Sequence, residues 1–415
     1  MIVNIVDSIM GSGKTQAAIN YINNSDNTKH FLYVTPYLRE VERIINSCPN
    51  KNFRQPEKYG SKITGIKDLL NKGRNIATTH TLFHLFDDEI IDLCYSQGYI
   101  LIMDEVTDVI DTYYIGEKDR IILLNNFVTI DESTGLLHWR DDQMDYGSSP
   151  MDDKFIEEKR LCEMNCLAMY GNNIMLWMFP VKIFEAFRES YILTYMFNAQ
   201  MQKYYYDYYN ITYKYIYVDG DDVDNYHFTE NNRNQISKYD YRKLINIYND
   251  EKLNMIGDSD HSLSMSWYKR NANNNLIKQL KKNTINYFNN ILKSKSSNNI
   301  WTTFKDYKDL IAGKGYTKGF ISSSMRATND YQDRTAIAYL VNKFFNPYVK
   351  QFFLNHHIDV DEEGYAVSEM LQFIWRSAVR KGEEINIYIP SKRMRNLLIK
   401  WIDEQNYGET NEYNI

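Results

Sequence analysis

Two short stretches of this chain carry residue types that together perform phosphate chemistry. The first is Ser8-Ile9-Met10-Gly11-Ser12-Gly13-Lys14-Thr15. It fits the pattern G-x-x-x-x-G-K-[ST], with serine in place of the first glycine. Glycines let successive backbone N–H groups converge on phosphate oxygens. The Lys14 ammonium can reach the β and γ phosphates, and the Thr15 hydroxyl suits a magnesium ion. Met10, Gly11, Ser12, Gly13, Lys14, Thr15 and Gln16 are therefore the expected cradle for ATP, with Mg2+ as its companion. The second stretch, Tyr99 to Val106, is an apolar run that reaches two carboxylates, Asp104 and Glu105. Asp104 is read with Thr15 as a magnesium ligand, and Glu105 as the group that polarises the attacking water. Alone, such a strand end is common and structural. About 90 residues after the loop, it makes a pair that specifies hydrolysis as well as binding.

These groups need a particular scaffold. Ile2 to Val6 reads as a buried strand leading into the loop, and Gln16 to Asn23 as a helix with apolar Ala17, Ala18, Ile19 and Ile22. The N-terminus of that helix adds positive potential where phosphates would lie. Tyr99 to Val106 reads as a parallel strand buried on both faces. Ligands of open α/β sheets bind at the carboxyl edge of the strands, which is where both stretches end.

The rest of the composition narrows the classes. The chain has 415 residues, more than one compact core usually holds. Hydrophobic residues make up 43% and aromatic residues 14%, ample for folded cores. A net charge of −6 argues against a protein that coats DNA by overall charge, while leaving room for a local basic groove. Cys48, Cys94, Cys162 and Cys166 are the only cysteines, and none has a partner pair at zinc-like spacing. Free thiols fit a reducing cytoplasm, that of the host if the protein is viral. No signal peptide or bilayer-length apolar run is visible, so a soluble cytoplasmic protein without a membrane partner is expected.

Further stretches then fall into order. Phe31 to Ile44 reads as a strand, a Thr35-Pro36-Tyr37 turn and an amphipathic helix carrying Arg39. Asn75 to Phe86 reads as a strand running into Thr78-Thr79-His80, then a helix. Taken singly, either is an ordinary strand–helix turn with a capping threonine. Between the loop and the acidic strand, both resemble nucleic-acid-contacting motifs of superfamily 2 DEAD-like helicases. Tyr191 to Phe197 resembles the motif that links hydrolysis to strand contact, with Thr194 as the coupling hydroxyl. Asn299 to Tyr307, with Thr302, and Gly319 to Tyr331, with Arg326, resemble two later motifs that grip the strand. Ser368 to Gly382 resembles the arginine motif Q-x-x-G-R-x-x-R, with Trp375 replacing the glycine and the last arginine one place late. Gln372, Arg376 and Arg380 are four apart and are read as one stripe on a helix. Arginine stays charged and forked, which suits it to a γ-phosphoryl group. A solvated basic helix face is the plain alternative. More narrowly, the segments around Tyr33 to Ile44 and Glu369 to Leu398 resemble replicative helicases encoded by tailed bacteriophages. With seven residues given before Ser8, no adenine-reading glutamine motif is expected ahead of the loop.

The resemblance implies an α/β protein with two RecA-like parallel-sheet domains. Residues 1–218 form the first, with a hairpin and acidic loop inserted at about 111–164. Residues 219–275 form a polar linker or accessory segment, 276–402 the second domain, and 403–415 a frayed tail. The tyrosine-dense run Met201 to Val218 is read as packing by ring area in preference to base stacking. The expected activity is ATP-driven translocation or unwinding, with Lys14, Glu105, Gln372, Arg376 and Arg380 as the catalytic set. The expected partners are single-stranded or forked DNA, RNA not being excluded, together with replication proteins. The implied setting is phage replication or recombination. The rival readings are an ATP-switched initiator or loader that does not unwind, a DNA-packaging ATPase, and a small-molecule kinase that leaves the second half unused.

Overall fold

The computed structural model describes residues 2–57, 61–140, 153–171, 173–231, 239–323 and 330–407. It divides into two compact units. The first comprises Met1–Asp7, Lys14–Glu230 and Asn346–Val360, and the second Ser8–Gly13, Asn231–Phe345 and Asp361–Ile415.

The first unit is built on β1 (Val3–Asp7), β2 (Phe31–Thr35), β3 (Ile76–Thr79) and β4 (Ile100–Asp104). An insertion carries β5 (Ile110–Tyr113), β6 (Val128–Ile130), β7 (Leu137–Trp139), β8 (Leu167–Tyr170) and β9 (Ile174–Met178). The main sheet then resumes with β10 (Glu189–Thr194), β11 (Tyr213–Asp219) and β12 (His227–Thr229). Its spatial order is β12-β11-β1-β10-β4-β2-β3, with every pairing parallel except the edge strand β12. Parallel strands covered on both faces need near-continuous apolar runs. In β2, Phe31 through Thr35 are all fully buried. Two helices, α1 (Lys14–Asn24) and α2 (Leu38–Ser47), lay Ala17, Ala18, Ile22, Val41 and Ile44 on Val6, Tyr33, Ile102 and Leu193. Each buried valine, isoleucine or leucine among these contributes roughly 1.5–3 kcal/mol by leaving water.

The insertion is longer than its sequence suggests, because β5 pairs with β9 and β9 with β8 in an antiparallel sheet that extends to Met178. It has its own core of Leu123, Phe127, Val128, Leu137, Leu161, Cys162 and Cys166. The expected hairpin is present as β6 and β7. Asp131 Oδ1 accepts the N–H groups of Ser133 and Thr134 at its turn. Gly135, at φ +74°, approaches Met169 O so closely that a Cβ would lie 2.4 Å from it. The acidic stretch of the insertion falls largely at 141–152, outside the described residues, as does the tail from 408. The tyrosine-dense helix Met201–Tyr208 packs as expected, with Tyr204, Tyr205 and Tyr206 almost wholly buried.

The second unit holds β13 (Ile245–Ile247), β14 (Asn299–Thr302), β15 (Ala336–Tyr339) and β16 (Ile385–Tyr388). Their order is β13-β16-β15-β14, and all three pairings are parallel. The α/β class with two parallel-sheet domains is therefore what the chain adopts. Three details differ from the sequence reading. The polar stretch before residue 276 is more than a linker: it supplies the edge strand β13 and the helix Met265–Asn271, whose Trp267 and Tyr268 enter the core. The helix Pro347–Asn355 belongs to the first unit, where Phe353 packs on Tyr204 and Phe352 on Tyr170 and Tyr208. The helix expected through residue 382 stops at Ile374, because Trp375 turns inward against Tyr241 and Trp401.

Candidate functional site

β1 delivers the chain to the phosphate loop at the carboxyl edge of the first sheet. Gly11 and Gly13 take φ values of 84° and 89°, which only glycine adopts without strain. Between them the N–H of Ser12 donates to Ile9 O at 3.2 Å, closing the loop. α1 starts at Lys14, so its first-turn N–H groups, which have no partner within the helix, lie at the loop. Lys14 is largely buried and its charge acts on both Asp7 and Asp104.

β4 brings the carboxylates to the same edge. Thr15 Oγ1 donates to Asp104 Oδ2 at 3.2 Å, across 89 residues of sequence. The Tyr33 hydroxyl donates to the same oxygen at 3.2 Å. Burial raises the Asp104 carboxyl to about 6, and the charges of Glu105 and Glu40 push it the same way. Lys14 and the Thr15 hydrogen bond oppose them. The result is a carboxylate in negative potential that a divalent cation would relieve. Hydroxyl and carboxylate oxygens are the hard donors Mg2+ takes. Among the described residues no group of three or more His, Cys, Asp or Glu could hold a metal unaided. The two oxygens therefore fit a Mg2+ that completes its shell with water and phosphate oxygens, its usual habit.

Glu105 takes a left-handed φ of 67°, uncommon for a residue with a side chain. Its N–H donates to Leu193 O at 2.9 Å. β10 runs between β1 and β4, so Thr194, opposite Asp7 in register, ends between the loop and the carboxylates. Its hydroxyl is fully buried and has no hydrogen-bond partner among the described residues. Asp7 accepts the N–H groups of Met196 at 2.8 Å and Phe197 at 3.0 Å, so the residue before the phosphate loop clamps the turn after Thr194. Burial raises the Asp7 pKa, and these two bonds and Lys14 resist the rise.

The other expected residues are placed less uniformly. Thr35 and Thr302 are fully buried at the ends of β2 and β14, so neither hydroxyl is presented to a bound strand. Pro36 and Tyr37 are half-buried and Arg39 is exposed. Thr79 caps a short helix by accepting the Leu82 N–H at 3.4 Å. His80 is turned inward, its Nε2 2.9 Å from Asp104 O, and so belongs with the acidic strand rather than with an open surface. Arg326 lies outside the described residues. In the second unit, Gln372 occupies the last turn of the helix Glu362–Ile374. Arg376 follows the helix end, is 3% exposed and donates to Ser322 O at 3.1 Å. Arg380 sits in the separate turn Ala378–Lys381. The three do not form one helical stripe, because the helix ends before Arg376. Asp7, Tyr33, His84 and Gln202 were not singled out from sequence. Asp7 directly before Ser8 was a legible signal, whereas a strand tyrosine and a buried glutamine give none.

Residues 239–402 match the family model described as the YonV C-terminal Rossmann-like domain. Over 411 residues the chain is 39% identical to the SPbeta prophage-derived uncharacterized protein YonV of Bacillus subtilis (strain 168), spanning 97% of this chain and 99% of the relative. Among solved structures, an XPD helicase aligns over 98% of this chain and 95% of its own, at 12% identity and a TM-score of 0.48. Xpd4 of S. tokodaii aligns over 96% and 94%, at 10% identity and a TM-score of 0.47. The narrower likeness to replicative helicases of tailed bacteriophages finds no support here, since the relative is an uncharacterized prophage protein. Identity of that order along nearly the whole of both chains makes this protein a member of the YonV family.

Proposed function

We propose that this protein is an ATP-hydrolysing nucleic-acid translocase of helicase type. One observation carries the reading: the Thr15 hydroxyl and the Asp104 carboxylate, 89 residues apart in sequence, meet at 3.2 Å beside the phosphate loop. The loop binds the triphosphate through its backbone N–H groups, and Lys14 neutralises the β and γ phosphates. Thr15 and Asp104 hold the Mg2+, which when bound supplies charge neutralisation of the phosphates. Glu105 takes up the proton of the attacking water. Gln372, Arg376 and Arg380 are the polar and cationic side chains proposed for the γ-phosphoryl group. Thr194, clamped through Asp7, relays hydrolysis to the nucleic-acid side. Arg39 and Thr79 touch the strand, whereas the burial of Thr35 and Thr302 favours a supporting role for them. DNA is the proposed track and phage replication or recombination the proposed setting, which the prophage origin of the YonV relative favours.

The test is ATP hydrolysis by the full chain with and without single-stranded DNA, followed by strand separation on a forked duplex. Stimulation with unwinding supports the helicase. Stimulation without unwinding narrows it to a translocase or loader. Hydrolysis indifferent to nucleic acid refutes it. Lys14→Ala abolishes activity under the proposal.

A further inference from the structure

The acidic turn after β4 is held by contacts that its proposed chemistry does not require. Glu105 is left-handed, at φ 67°. A side-chain-bearing residue keeps that strained conformation only when its surroundings over-determine it. Three supports surround it. His80 Nε2 lies 2.9 Å from Asp104 O on one side. On the other side Thr107, only 2% exposed, is gripped twice. Its N–H donates to Gln202 Oε1 at 3.0 Å, and its Oγ1 lies 2.6 Å from His84 Nε2. Gln202 is fully buried and is itself fixed by donating to the Tyr206 hydroxyl at 2.7 Å. His84 follows His80 by one helical turn, and its ring packs at 4.9 Å on Phe179 and 5.7 Å on Trp177. Both aromatics sit at the end of the insertion, and Phe179 N donates to Val109 O at 2.8 Å.

Resting on the ATPase reading above, we infer that His84, Thr107 and Gln202 are positioning residues that lock the left-handed turn at Glu105 and so aim its carboxylate at the attacking water. The bond angles and register of β4 alone do not specify this turn. The strand ends at Asp104, and past it the Glu105 N–H still reaches Leu193 O on β10 at 2.9 Å, so the contacts at Thr107 act on the far side of the turn. A carboxylate displaced by about an ångström loses a large part of its catalytic effect while nucleotide binding, made by the loop, is untouched. Through the rings of Phe179 and Trp177, the same brace joins the insertion to the hydrolytic turn.

The experiment measures kcat and KM for ATP in the full chain, with magnesium and single-stranded DNA present. The variants are His84→Ala, His84→Gln, Thr107→Val, the double variant His84→Ala/Thr107→Val, and Glu105→Gln as reference. His84→Ala and Thr107→Val each lower kcat about tenfold with KM within about twofold. The double variant is no slower than the worse single, because the two act as one unit. His84→Gln, which keeps a polar atom near the Nε2 position, retains at least about a third of wild-type kcat. Thr107→Val is nearly isosteric, so it reports even if His84→Ala fails to fold. Wild-type kcat in Thr107→Val, a loss confined to KM, or multiplicative losses in the double variant overturn the inference. A wild-type chain that hydrolyses no ATP overturns the parent reading and this inference with it. Active wild type with unaffected variants overturns this inference alone.

Discussion

Replacing Asp7 with alanine removes the acceptor for two backbone N–H groups, Met196 at 2.8 Å and Phe197 at 3.0 Å. A buried donor left without a partner costs about 1–3 kcal/mol, so two cost roughly 4 kcal/mol. Against this stands the burial of the carboxylate, the largest influence on Asp7 and the one that raises its pKa. Removing the charge relieves that penalty, and a net loss of about 2 kcal/mol remains. In a folding unit of this size, each kcal/mol moves the melting temperature by about 2–4 °C. Asp7→Ala should therefore melt about 4–8 °C below wild type in a thermal scan followed by circular dichroism. Asp7→Asn should fall between the two, since its amide accepts one N–H but opposes a donor to the other. A melting temperature within about 1 °C of wild type in Asp7→Ala would refute the reasoning, because the clamp between the phosphate loop and the Thr194 turn would then carry no load.

Thr15→Val should lower magnesium-dependent turnover at least about tenfold while leaving metal-free binding of a fluorescent ATP analogue within about twofold of wild type. Trp375→Gly, which restores the glycine of the helicase motif, should destabilise the second unit by about 3–5 kcal/mol in urea unfolding, because Trp375 fills the space between Tyr241 and Trp401. Burial pushes the thiols of Cys48, Cys94, Cys162 and Cys166 up to about 12 from 9.0. With the folded pKa above the unfolded one, the protonated thiols favour the fold below pH 9, and that contribution is lost as pH rises from 9 toward 12. At pH 8 a thiol-reactive dye should thus label native protein hardly at all and all four sites after unfolding; rapid labelling of folded protein would contradict the packing. Arg376→Ala should reduce turnover at least about tenfold with little change in nucleotide affinity, read from single-turnover kinetics and equilibrium binding.

The first sheet was legible from runs such as Phe31 to Thr35 and Tyr99 to Asp104, because strands covered on two faces must be apolar throughout. The strand–loop–helix around Ser8 to Thr15 was legible because its glycines permit the positive φ that the loop takes at Gly11 and Gly13. Three things were not. The inward turn of Trp375 depends on Tyr241 and Trp401, which are distant in sequence, so a four-residue spacing misread the arginines as one helical stripe. The strand β13 hides in polar surroundings and is stabilised by its parallel neighbour β16, a contact between residues about 140 apart. The brace at Thr107 needs Gln202 from beyond the whole insertion, and no local pattern announces such a partner. Thr35 and Thr302 resembled strand-gripping residues by motif, yet their own side chains are fully buried.

The most direct test of the central claim is the steady-state ATPase rate of the full chain, measured against increasing single-stranded DNA for wild type and Glu105→Gln in parallel. The account predicts a wild-type rate that rises to saturation with DNA and a Glu105→Gln rate lower by at least about a hundredfold, with ATP still bound. A wild-type rate that ignores DNA, or Glu105→Gln turning over at the wild-type rate, would contradict it.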